Sequence, residues 1–291
     1  MFKLNEKPFV GILAFIIVLF VMPIGHILMV IIEKSGGEQY MFLTATILGL
    51  IGLFLIWFGS QNKSESTATW LGFIGGELLW TGWVEFSFVW TAQHLGIPHL
   101  MENGEIATKA EYLIMPSSLG LLLSTMIYYL FNSQTRCNFF MWLNRNLKLK
   151  IKVAPADKER NFALNTALEV IYVTWFFYIY LLLIYDKSIF GDFHPVTYAS
   201  FAGFLIWSVY LILRLLKISK MPYAIRYAIP TVIIFWNSVE ILGRWDYFHE
   251  VWVEPSKYIL ETAIIIGGFA LAILLSVFTT KKSNQAIKET A

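Results

Sequence analysis

The chain of 291 residues holds a single cysteine, Cys137. One thiol excludes an intramolecular disulfide and any zinc or iron–sulfur centre that draws several cysteines from this chain. Histidine is scarce too: His26, His94, His99, His194 and His249 are five, too few for an eight-histidine di-iron centre, and no HExxH or ExxH pair occurs. Charge is sparse, at 14% of residues with a formal net charge of +2. That gives no broad basic surface and predicts no nucleic-acid partner. A soluble globule is excluded as well, because 57% of residues are hydrophobic and mean hydropathy is +0.61. The apolar runs reach the roughly 20 residues that cross a bilayer.

What is present is therefore an all-α, polytopic integral membrane bundle. Eight spans are expected, over about 9–32, 40–59, 70–93, 112–132, 162–185, 197–216, 224–248 and 257–279, each long enough for about 30 Å of hydrocarbon. They read as four hairpins running in, out and in again, within one transmembrane domain over 1–291. The first run has no small-residue cleavage site before Glu33 and is expected to stay as a span. Lys and Arg gather on one side, with Arg136, Arg145, Lys148, Lys150, Lys152, Lys158 and Arg160 in one loop; the other side carries only Lys34, Lys109, Lys187, Arg244 and Lys257. The positive-inside rule then puts both termini and the 133–161 loop in the cytoplasm, in a cell (inner) membrane. The basic loop is expected to meet anionic lipid.

Small residues mark close helix approach: Gly72 and Gly76 as GxxxG, Gly49 with Gly52, and Gly267 with Gly268. Pro23 and Pro116 interrupt their helices and free backbone carbonyls.

Ionised groups inside a bilayer cost about 2.5–3.5 kcal/mol or more at its centre, so those within spans must face the interior. Glu77, Thr81 and Glu85 recur every four residues, which in an unbroken helix spaces the carboxylates by about 12 Å. Asn165, Glu169 and Tyr172 share a face, followed by Trp175, Tyr178 and Tyr180. Asn237, Glu240, Arg244 and Tyr247 share another, with Glu240 four residues before Arg244 and in reach of it. Glu77, Glu85, Glu169 and Glu240 thus form a candidate proton path. Packing is the commoner reason for rings at helical spacing; the functional alternative is a wall for a greasy ligand.

All five histidines fall near the Lys-poor ends of spans, among Glu102, Glu105, Glu111, Asp186, Asp192, Asp246, Glu250, Glu254 and Glu261. Imidazoles with carboxylates suit copper, iron, zinc or manganese. The expected ligands are His26, His94, His194 and His249, one from each hairpin, with Glu250. Around them Glu85, Asp246, Glu240 and Arg244 are the candidate catalytic groups, and Trp80, Trp83, Tyr112, Ser117 and Tyr247 the candidate substrate contacts.

Three readings stay open. The first is a metal-dependent enzyme, an oxidoreductase for example, working at the outer, periplasm-facing helix ends on a hydrophobic substrate. The second is a proton- or cation-linked carrier using the intramembrane carboxylates. The third is a non-catalytic subunit of a homo- or hetero-oligomeric membrane complex.

Overall fold

The structure is a computed structural model and describes residues 6–34, 37–102, 105–133, 135, 137–149 and 160–289. Arg136, Lys150, Lys152 and Lys158 of the basic loop lie outside the described residues. The helices are α1 (Phe9–Lys34), α2 (Gly37–Ser60), α3 (Glu65–Leu79), α4 (Phe86–His94), α5 (Ala110–Ile114), α6 (Leu119–Phe131), α7 (Asn138–Asn146), α8 (Phe162–Tyr185), α9 (Pro195–Leu215), α10 (Met221–Arg244) and α11 (Ile259–Glu289). A π turn, Trp80–Glu85, joins α3 to α4, and a 3-10 turn, Met115–Ser118, joins α5 to α6. The only described sheet is a two-stranded antiparallel hairpin of β1 (Leu100–Glu102) and β2 (Glu105–Thr108).

Among the described residues, seven helical stretches are long and apolar enough to cross a membrane: Phe9–Lys34, Tyr40–Ser60, Ala110–Phe131, Phe162–Tyr185, Pro195–Leu215, Met221–Arg244 and Ile259–Val277. The expected count of eight is corrected at 70–93. There the chain is helical but not one α-helix, because the π turn divides it into α3 and α4, each shorter than a membrane crossing.

The helices cluster into two compact units, Ser35–Val196 and Met1–Lys34 with Thr197–Ala291. In the first, α8 packs against α2, α3, α6 and α7. Lipid supplies no hydrophobic drive between helices, so association depends on close fit. The glycines provide it on two faces of α3. A Cβ on Gly72 would strike the Ala163 backbone on α8, one on Gly76 would stand 3.0 Å from Ala167 Cα on α8, and one on Gly75 would stand 2.8 Å from the carbonyl oxygen of Gly52 on α2. Gly82, in the π turn, sits as tightly on the Gly49 and Ala45 backbone. The opposite face of α2 exposes Leu43, Leu50, Phe54 and Trp57, as a lipid-facing helix does.

In the second unit α1 packs against α10 and α11, and Gly11 lets α1 approach the Leu215 backbone at the end of α9. Ile27, Trp236 and Trp252 form a buried cluster, with Leu19, Met22 and Val239 packed on it. α10 ends in a Schellman motif: Asp246 N–H donates to Gly243 O at 2.9 Å and Tyr247 N–H to Leu242 O at 3.1 Å. Asp246 takes the left-handed position, φ 58°, usually held by glycine.

Candidate functional site

The π turn sets the register of the segment that carries Glu77 and Glu85 in the Ser35–Val196 unit. One line through the buried face from α3 to α4, which also includes Phe73, Gly75, Thr81, Gly82 and Phe86, runs Gly72, Gly76, Trp80, Glu85, Val89 and Ala92, stepping by four, four, five, four and three. The five-residue step is the π turn. An α-helix advances about 100° per residue, so eight residues would leave Glu85 about 80° from Glu77. One inserted residue makes the step equivalent to seven, about 20° from alignment. Glu85 is accordingly 6% exposed, and the two carboxylates are close enough to interact electrostatically.

Between them in sequence stands Trp80, 4% exposed. It begins a run of touching rings. Trp80 lies 6.5 Å from Trp175 and 6.0 Å from Tyr178, centroid to centroid; Tyr178 lies 5.8 Å from Tyr112. In the other direction Trp175 meets Tyr172 at 6.4 Å, and Tyr172 meets Phe140 and Tyr129, each at 5.3 Å. These are ordinary offset and edge-on separations. The run owes its line to α8, which supplies Tyr172, Trp175 and Tyr178 on successive turns. Trp175 is held in place because its indole N–H donates to Ser118 Oγ at 2.9 Å, and that hydroxyl donates to Met115 O at 2.7 Å.

A third carboxylate closes the other end. Glu169, one turn before Tyr172, is 1% exposed, and its Oε2 accepts from Asn138 Nδ2 at 3.2 Å. The neighbouring Cys137 thiol is pushed well up from its ordinary value, by burial first and by the Glu169 charge second. Sequence patterning does not single out Asn138, because α7 is too short to register as a span and lies in a loop read as basic.

Other expected contacts lie elsewhere. Trp83, 39% exposed, points to α2, where its Nε1 donates to Thr46 O at 3.4 Å over Gly49. Ser117 is exposed while Ser118, next to it, does the holding. Tyr247 is exposed near Trp245, at 6.5 Å.

Of the expected metal ligands, His94 and His194 belong to the Ser35–Val196 unit and His26 and His249 to the other. His94 is exposed and stacks on Trp90, 4.9 Å apart and 8° from parallel. His194 Nδ1 accepts from Val196 N–H at 3.2 Å and His99 Nδ1 from Ala110 N–H at 2.9 Å. His249 is exposed, 6.3 Å from the Tyr258 ring. His26 Nε2 lies 3.9 Å from Glu240 Oε1, which also accepts from Trp236 Nε1 at 2.6 Å. Among the described residues no three His, Cys, Asp or Glu side chains group as a metal centre would.

At the end of α10, Glu250 interacts electrostatically with Arg244 and Asp246. The Glu250 carboxyl is raised from its ordinary value by burial, with Arg244 opposing and Asp246 adding to the rise. Gly243 makes the room: any Cβ there would strike Glu250 Oε1.

No family model, curated protein or solved structure matches this chain.

Proposed function

We propose that this is a membrane-embedded enzyme whose Ser35–Val196 unit takes a hydrophobic, hydrogen-bonding molecule against the ring run from Phe140 to Tyr112 and exchanges protons with it through Glu77 and Glu85. Both termini and the basic loop face the cytoplasm in a cell membrane. The observation that carries the reading is the π turn, a strained departure from α-geometry that recurs at functional sites. Here it turns Glu85 onto the face of Glu77 beside Trp80. Ring walls with few, convergent polar groups are how apolar sites gain selectivity, and Tyr112, Tyr178 and Ser118 supply the neutral hydrogen-bonding groups.

The test is the organic extract of detergent-purified protein, examined by mass spectrometry for wild type, Tyr178→Ala and Glu85→Gln. A buried aromatic contact is worth about 2 kcal/mol or more, so occupancy of a bound molecule should fall about tenfold or more in Tyr178→Ala. Identical extracts from all three proteins would sink the reading.

The buried Glu169 at the far end of the rings favours a second reading, proton-linked transport along Glu77, Glu85 and Glu169. Proteoliposomes with a trapped pH dye separate the two: a substrate-driven proton flux lost in Glu169→Gln selects transport, and the absence of any such flux in wild type removes that reading.

A further inference from the structure

The ring run extends further than a binding wall needs. Past Tyr172 and Tyr129 it reaches Tyr128, whose ring lies 5.3 Å from that of Tyr129. From Tyr112 the line passes through Tyr178, Trp80, Trp175, Tyr172 and Tyr129 to Tyr128, and no step between ring centroids exceeds 6.5 Å. At such separations neighbouring rings are in or near van der Waals contact. Both ends belong to one membrane-length stretch, Ala110–Phe131, with Tyr112 in the first turn of α5 and Tyr128 in the last turn of α6. The two positions are 16 residues apart, about 24 Å at 1.5 Å per residue, against a hydrocarbon thickness of about 30 Å. Tyr128, at 64% exposed, opens the line to its surroundings.

Packing alone does not ask for these ring types. Phe is the commonest ring in the chain, 24 against 14 Tyr and 11 Trp, and a buried hydroxyl or indole N–H costs free energy unless it finds a partner. Every link is nevertheless Tyr or Trp. Phe140 touches both Tyr129 and Tyr172, but the line does not need it, because those two rings touch each other. The cost of the polar tips is met where the line is buried: the Trp175 indole N–H donates to Ser118 Oγ, and the Tyr172 hydroxyl is hydrogen-bonded to the Thr125 side chain. Tyr and Trp share one property that Phe lacks, which is the release of an electron to a strong oxidant. A file of such rings in contact lets the vacancy pass from one to the next.

We infer that this line carries single electrons through the Ser35–Val196 unit, from a water-soluble thiol at the Tyr128 end to a peroxyl radical of oxidised lipid at the Tyr112 end. Oxidising a phenol takes a strong one-electron oxidant, and the peroxyl radical is the class that qualifies inside a bilayer. The radical takes the hydroxyl hydrogen of Tyr112, so that the phenol O–H bond breaks and a hydroperoxide O–H bond forms. An electron then moves ring by ring from Tyr128 to Tyr112; Tyr112 takes up a proton at its end and Tyr128 releases one at the other. The thiol returns a hydrogen atom to Tyr128, and the thiyl radicals left behind pair as disulfide. The inference uses the rings and neither Glu77 nor Glu85, so it stands whether or not a molecule binds at the proposed site. The experiment uses the full chain in lipid vesicles with glutathione trapped inside and a lipid-soluble azo initiator as the source of peroxyl radicals. Glutathione disulfide formed inside is measured over many turnovers per protein for wild type, Trp80→Tyr, Trp80→Phe and the double variant Trp80→Phe/Trp175→Phe. Wild type and Trp80→Tyr should form disulfide faster than vesicles without protein. Trp80→Phe should slow it, and the double variant should fall to the protein-free rate. A wild-type rate equal to that of protein-free vesicles, or a double variant as fast as wild type, would overturn the inference. Should the double variant fail to fold, an unchanged rate in Trp80→Phe would equally overturn it.

Discussion

Gly72 and Gly203 are both helical glycines, and the structure predicts opposite signs for their replacement by alanine. A methyl on Gly72 would stand 2.7 Å from Ala163 Cα and 2.8 Å from its carbonyl carbon, while Gly203 has nothing within 4 Å of the same position. Carbon atoms pack best at about 3.5–4.0 Å, so α3 and α8 would have to part by about 1 Å. Overpacking of this kind costs about 1–3 kcal/mol, and both neighbours are backbone atoms that cannot rotate away. Against it stands the gain of about 1 kcal/mol from replacing glycine by alanine in a helix. The net for Gly72→Ala is a loss of up to about 2 kcal/mol, and for Gly203→Ala a gain of up to about 1 kcal/mol. Unfolding in detergent, followed by tryptophan fluorescence, should show Tm falling by several degrees in the first and rising slightly in the second, at about 2–4 °C per kcal/mol. A Gly72→Ala protein as stable as wild type would refute the account of how α3 meets α8.

Asp246 holds a left-handed position at the end of α10, so Asp246→Gly should match or exceed wild-type stability while Asp246→Ala loses about 1 kcal/mol; equal melting of the two variants would remove the cap. The Glu250 carboxyl, raised mainly by burial, favours the fold while protonated. That contribution is complete below its unfolded value of about 4.3 and is lost as pH rises through the raised folded value. Glu250→Gln should therefore unfold at higher temperature than wild type at neutral pH and match it near pH 4; a lower Tm at neutral pH would mean that pairing with Arg244 outweighs burial.

Hydropathy places seven of the eight expected stretches within about four residues of the helices that are long and apolar enough to cross a membrane, since about 20 apolar residues leave little choice. It passed over the π turn, because one inserted residue changes the phase of a helix and not its composition. Glu77 and Glu85 stand out in the sequence as carboxylates in an apolar segment, yet their common face depends on that phase. The α7 helix and the β1–β2 hairpin were hidden in segments read as loops; α7 has nine residues, less than a hydropathy window. For the ring run, patterning offered Trp80, Tyr112 and the aromatic face of α8, but placed Trp83 beside them, where the structure turns it to Thr46. Sequence spacing along one helix cannot tell which neighbour a ring meets. The sequence puts the histidines near the same ends of the spans because polar residues collect wherever apolar helices end, and their observed contacts are with rings, backbone N–H groups and Glu240.

The register set by the π turn is the claim on which the site rests, and cysteine accessibility reads it directly. In a Cys137→Ser background, single cysteines at positions 76 to 92 are exposed to a membrane-permeant maleimide. Protection at Gly76, Trp80, Glu85 and Val89, with labelling at Trp83 and Ser87, is the pattern that the observed burial predicts. Protection at Val84 with labelling at Glu85 would show an unbroken α-helix, part Glu85 from Glu77, and contradict the account.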